Sequence, residues 1–117
     1  MSMNMIGRAT EYRVKAGSRA TLQLTISDST GSAKSLTDTV TYSTGVWKVW
    51  KPDGTLIING AVTYSDRTNG KVTYALSAAD TAIANAGNWT GEVELLNSAG
   101  VMSEQTKSFN FTIEESY

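Results

Sequence analysis

The 117-residue sequence contains no cysteine and no histidine. Without cysteine there is neither a disulfide framework nor a thiolate metal site. Without either residue, the Ser-His and Cys-His pairs of nucleophilic catalysis are excluded. Charge of one sign is scarce too: ten basic residues nearly cancel eleven acidic ones, leaving a formal charge of −1. A phosphate-driven nucleic-acid binder carries a basic stripe, as does a segment held on anionic lipid, and neither is visible here. No apolar run approaches the roughly 20 residues of a membrane-spanning helix. The opening "MSMNMIGRATEYRVKAG" lacks the basic region and long apolar stretch of a signal peptide. The chain is therefore expected to stay in the compartment where it is made, or to be assembled there into something larger. On that ground the sequons Asn88-Trp89-Thr90 and Asn110-Phe111-Thr112 are read as chance matches.

Carboxylates are the remaining catalytic or metal-binding currency. Asp28, Asp38, Asp53, Asp66 and Asp80 fall largely in turn-like contexts, where a local hydrogen bond explains the residue. Glu92, Glu94, Glu114 and Glu115 read as solvated strand positions. There is no dense Asp-x-Asp-x-Asp spacing for calcium and no glycine-rich phosphate cradle. No catalytic residue, metal site or cofactor is expected.

What the chain does have is period-two alternation. In "RATLQLTISD", Ala20, Leu22, Leu24 and Ile26 alternate with Thr21, Gln23 and Thr25, the pattern of a half-buried strand. A shorter strand precedes it, with Tyr12 and Val14 on one side and Gly17 closing it. "LTDTVTY" continues the alternation through Leu36, Val40 and Tyr42, with Asp38 as the exception. Further strands are expected in "VWKVW", "TLIING", "AVTYSD", "KVTYAL", "NWTGEVELLN" and "SFNFTIEE", punctuated by "PDG", "TNG" and "SAG" turns. Only the alanine-rich stretch 77–87 resists: Ser77 with Asp80 three residues on forms a capping pattern, and Gly87 sits where a helix stops. One or two helical turns are expected there. The fold expected is an all-β, immunoglobulin-like antiparallel β-sandwich of about seven to nine strands with one short helical turn. Residues 1–10 are expected to form an N-terminal arm and 11–117 the sandwich.

In "VWKVWKPDGTLI", Trp47 and Trp50 are three residues apart, which on a strand puts them on opposite faces. Lys48 shares a face with Trp50, and an ammonium avoids a dry core, so Trp47 and Val49 are expected inward. Trp50 is left partly exposed with Lys48 beside it. Trp89, in phase with Val93 and Leu95, is expected in the core. An exposed Trp is a rim residue or a partner's anchor. The arm holds three methionines and an isoleucine in its first six residues, a composition suited to ordering against a partner. Met3, Met5, Ile6, Lys48 and Trp50 are the candidate partner contacts.

The order of "VWKVWKPDGTLI", "NGKVTYAL", "AGNWTGEVELLNSAG" and "SFNFTIEE" resembles the N-terminal immunoglobulin-like domain of phage baseplate upper proteins, over roughly residues 12 to 115. The resemblance implies a structural adaptor that docks onto the phage tail, with a longer C-terminal portion of such proteins carrying receptor-binding machinery. The expected function is thus a virion structural module, assembled in the host cytoplasm. It would mediate contacts with other phage structural proteins on tail, baseplate or capsid, as a homo-oligomer, without nucleic acid or membrane. The alternative is a carbohydrate-binding module of a phage or bacterial surface, with Tyr12, Tyr42, Tyr64 and Tyr74 joining Trp50 in an aromatic platform.

Overall fold

The computed structural model describes residues 11–28, 30–106 and 108–115. Among these residues nine strands form two sheets: β1 (Glu11–Lys15), β2 (Thr21–Thr25), β3 (Thr44–Trp50), β4 (Leu56–Ala61), β5 (Thr63–Asp66), β6 (Lys71–Ala75), β7 (Gly87–Leu96), β8 (Met102–Gln105) and β9 (Phe109–Glu114). The larger sheet has the order β1-β9-β7-β3-β4, with β8 also paired to β7; the smaller has the order β2-β6-β5. The alternating residues supply the facing sides. Leu22, Leu24 and Ile26, with Val72, Tyr74 and Leu76, meet Trp47, Val49, Val93, Leu95, Phe109, Phe111 and Ile113, all buried. The all-β sandwich expected from the alternation is what forms.

Trp47 lies at the centre, fully buried. Its ring meets Tyr12 of β1 edge-on at 5.2 Å, Phe109 of β9 at 5.1 Å, and Tyr74 of the opposite sheet in a stack at 6.0 Å. Tyr74 is seated over Gly60, where an added Cβ would lie 2.5 Å from its ring. Its hydroxyl donates to Asp80 Oδ2 at 2.7 Å, so the ring has no slack. Gly91 makes the same kind of room for Phe109.

The local reading is corrected in three places. The sandwich is not wholly antiparallel, because β1 pairs parallel to β9, with Glu11 beside Asn110 and Lys15 beside Glu114. Residues 36–42 form no strand. Asp38, the residue that broke the alternation, accepts from Val40 N–H and Thr41 N–H and closes a turn, and Arg67 donates to the Leu36 and Tyr42 carbonyls. Leu36 and Tyr42 are still buried, but Val40 is 64% exposed. β8 was not anticipated, because "VMSEQ" has no apolar alternation to signal it. In 77–87 the expected short helical turn forms as a 3-10 turn, Ile83–Asn85. Ser77 and Asp80 do exchange their two capping bonds, at 3.0 and 3.1 Å. Ala82, extended at ψ 146°, is the N-cap of that turn, and Gly87 opens β7 instead of closing a helix.

Trp47→Ala is expected to destabilise the fold by about 3 to 5 kcal/mol, as a buried aromatic site is emptied, whereas Trp50→Ala costs far less. Chemical denaturation of the two variants checks the order, and reversed costs would contradict the assignment of faces. Gly60→Ala, which forces the Tyr74 ring off its seat, should cost about 1 to 3 kcal/mol by overpacking; an unchanged denaturation midpoint would show that the ring can yield.

Candidate protein-contact face

Because Trp47 and Val49 point inward, strand geometry turns Val46, Lys48 and Trp50 to the outer side of the larger sheet. β3 is flanked by β4 and β7, so its outward residues have neighbours on both sides. Trp50 lies beside Leu56 on β4 and Thr90 on β7. Lys48 lies beside Asn59 and Glu92, and Val46 beside Ala61 and Glu94. The register slips between Val49 and Trp50, leaving Ile57 as an extra residue on β4. That bulge follows the Pro52-Asp53-Gly54 turn, in which Gly54 N–H bonds the Lys51 carbonyl and Gly54 takes φ +90°. Asp53 caps the turn by accepting from Thr55 N–H at 2.9 Å. The slip brings Leu56, 46% exposed, alongside half-buried Trp50.

Next to this apolar pair is a small charged group. Lys48 Nζ stands 3.0 Å from Glu94 Oε1, both side chains mostly covered. Glu92 faces the same ammonium across β3–β7. Burial raises the Glu92 carboxyl above its ordinary range, and the neighbouring Glu94 charge adds to the effect, while Lys48 opposes it. Glu92 and Glu94, expected as solvated strand positions, are thus half-buried members of a two-carboxylate, one-ammonium cluster.

Lys48 and Trp50 are therefore brought together on one face, as the alternation predicted. Met3, Met5 and Ile6 lie outside the described residues. Leu56 and the two glutamates were missed as members of the face. A bulge that shifts phase by one residue, and the pairing of β3 with β7, have no signal in a single strand's alternation. Trp89 is only half-buried: it packs on the core's edge, donates to the Asn85 carbonyl at 2.7 Å, and carries Lys51 over its ring at 5.3 Å.

The tyrosines do not join Trp50. Tyr12 and Tyr74 contact Trp47, and Tyr42 is buried. Tyr64 donates to the Thr44 carbonyl, with Arg67 stacked 3.9 Å from its ring. The turn aspartates are engaged locally as well. Asp28 accepts from Thr30, and Asp66 from Asn69, and these bonds hold both carboxyls below the usual range.

The family model of the BppU N-terminal domain matches residues 6–117. No curated protein matches the sequence. Among solved structures, the N-terminal domain of phage TP901-1 ORF48 superposes with a TM-score of 0.71 at 13% identity, covering 97% of this chain and 94% of that one. CopC from Methylosinus trichosporium OB3b superposes with a TM-score of 0.52 at 14% identity, covering 93% and 88%. At these identities the structural likeness shows the fold alone.

The raised Glu92 carboxyl means that the folded chain holds that proton more tightly than the unfolded chain. This group's contribution therefore favours folding most below the ordinary glutamate range, and it is lost as pH rises through the raised value. Glu92→Gln should accordingly raise the melting temperature at neutral pH, with the gain shrinking towards about pH 4. Thermal denaturation at the two pH values checks this; a loss at neutral pH would mean that the Lys48 attraction outweighs burial.

Proposed function

We propose, from the premise that the chain belongs to the BppU N-terminal domain family of phage baseplate upper proteins, that it is an adaptor which joins other phage structural proteins through the outer face of β3 and β4. Membership makes it a phage structural domain and a virion component. The adaptor role and the surface are our reading.

One observation carries it: Trp50 and Leu56 stand side by side on an outward sheet face, with the Lys48–Glu94 pair at their edge. An apolar centre with a charged rim is the anatomy of a protein interface, and a tryptophan is the residue type that most often anchors one. Such an anchor gains from repetition. A contact worth little between two free molecules becomes effective when many copies are held on one assembly. The near-zero net charge fits this, since copies packed together repel one another little. Homo-oligomers and neighbouring phage structural proteins are the expected partners, and neither nucleic acid nor membrane is required. A structural role needs no catalysis. The glycan-binding alternative has less support, because the tyrosines it needs are engaged in the core or on backbone carbonyls.

The test is binding of the folded chain to purified baseplate proteins of its phage, with sedimentation of the chain alone. Trp50→Ala and Leu56→Ser are each expected to weaken association about tenfold or more, as loss of an anchor does, while the circular dichroism spectrum is retained. Monomers throughout with no virion partner, or full binding by both variants, would overturn the proposal.

A further inference from the structure

We propose that the free edge of β4 pairs antiparallel with β4 of a second copy of this chain, about a two-fold axis at Asn59, joining the larger sheets of two protomers into one. β4 ends the larger sheet on the side away from β1, and among the described residues it pairs with β3 alone. The ladder fixes which of its backbone groups are free. Val62 N–H donates to the Gly45 carbonyl at 3.0 Å, so these two residues are a bonded pair. Bonded and unbonded pairs alternate along antiparallel strands. Gly60 therefore bonds Trp47, and Ile58 bonds Val49. Asn59 and Ala61, beside Lys48 and Val46, turn their N–H and C=O groups away from β3. Both residues are exposed. An edge of this kind is a template for another strand.

The other strands at the sheet margins are guarded. β1 carries Glu11, Arg13 and Lys15, three charges in five residues. On β2, Ile26 N–H bonds the Gly70 carbonyl, and the same alternation turns the groups of Thr21, Gln23 and Thr25 outward. The middle carbonyl of these, that of Gln23, already accepts from the Tyr12 hydroxyl at 2.7 Å. β5 and β8 have four residues each, slip in register against their neighbours, and carry Asp66 and Glu104. β4, Leu-Ile-Ile-Asn-Gly-Ala, has six residues and no charge. Charge, brevity and irregularity are what blunt an edge, and past its bulge β4 has none of them.

The sequence of β4 names the occupant, which is β4 itself. About Asn59, Ile58 comes level with Gly60 of the second copy and Ile57 with Ala61, a large residue beside a small one each time. Asn59 meets its own counterpart, and an amide both donates and accepts. Self-pairing of this strand brings no like charges together. Trp50 and Leu56 of each copy stay on the outer face, so the joined sheet presents that apolar pair twice.

The absence of cysteine gives a clean test in the full chain. Asn59→Cys, with one thiol per chain, should give a disulfide-linked dimer on mild oxidation, since facing Cα atoms of paired strands lie within bridging distance. Met102→Cys, at an exposed site on β8, should remain largely unlinked under the same conditions. In parallel, sedimentation of the parent should show a dimer that forms with rising concentration. Asn59→Lys, which sets two ammonium groups face to face, should weaken that dimer about tenfold or more, while the circular dichroism spectrum is retained. Monomers at every concentration would overturn the proposal. So would cross-linking no faster at position 59 than at 102, or a dimer that forms equally well with Asn59→Lys.

Discussion

Everything in this sandwich is arranged around the burial of one indole. Among the described residues, Trp47 alone is in ring contact with both β1 and β9 of its own sheet and with β6 of the other, through Tyr12, Phe109 and Tyr74. Aromatic pairs at such separations add to the gain from burial itself. The arrangement has a cost: Trp47 Nε1 is buried without a hydrogen-bond partner, which is worth about 1 to 3 kcal/mol against folding. It also demands room, supplied by Gly60 on the next strand. No side chain stands there, and Tyr74 comes down onto the backbone. Packing of the ring outweighs its unmet N–H.

The outer surface follows from that burial. A strand whose alternate residue is inward has no freedom over the others, so placing Trp47 places Lys48 and Trp50. Three strands, β3, β4 and β7, then determine which residues join them. The β4 bulge is decisive, because with unbroken register Ile57 and not Leu56 would stand beside Trp50. This outer face is therefore a product of packing on the inside and of a one-residue irregularity at the rim.

β8 and β9 form one row along β7, β9 beside its first half and β8 beside its second, and the two ends of this row differ. Over β9 the row is closed by β1, and Tyr12 seals it by donating to the Gln23 carbonyl of the opposite sheet at 2.7 Å. Over β8 the inner side is held instead by a polar contact, Lys34 with Glu104 at 3.3 Å.

By itself the sequence determined the fold class, the inward set of β2, β3, β6, β7 and β9, the Pro-Asp-Gly turn and the opposite facing of Trp47 and Trp50. These are consequences of period two and local turn chemistry, which act over a few residues. Its likeness to the baseplate upper protein domains rested on the order of those same strands and turns. Which strands pair was decided only in the tertiary structure. β1 found β9, about a hundred residues away, in parallel; "VMSEQ" became a strand because β7 offered it an edge; and 36–42 lost its strand to Asp38 and to the guanidinium of Arg67. The physical reason is the same in each case. Alternation says which side of a strand is apolar, but hydrogen-bond partners and register come from distant segments, and a rival local bond or an available edge overrides a propensity worth about 1 kcal/mol at most.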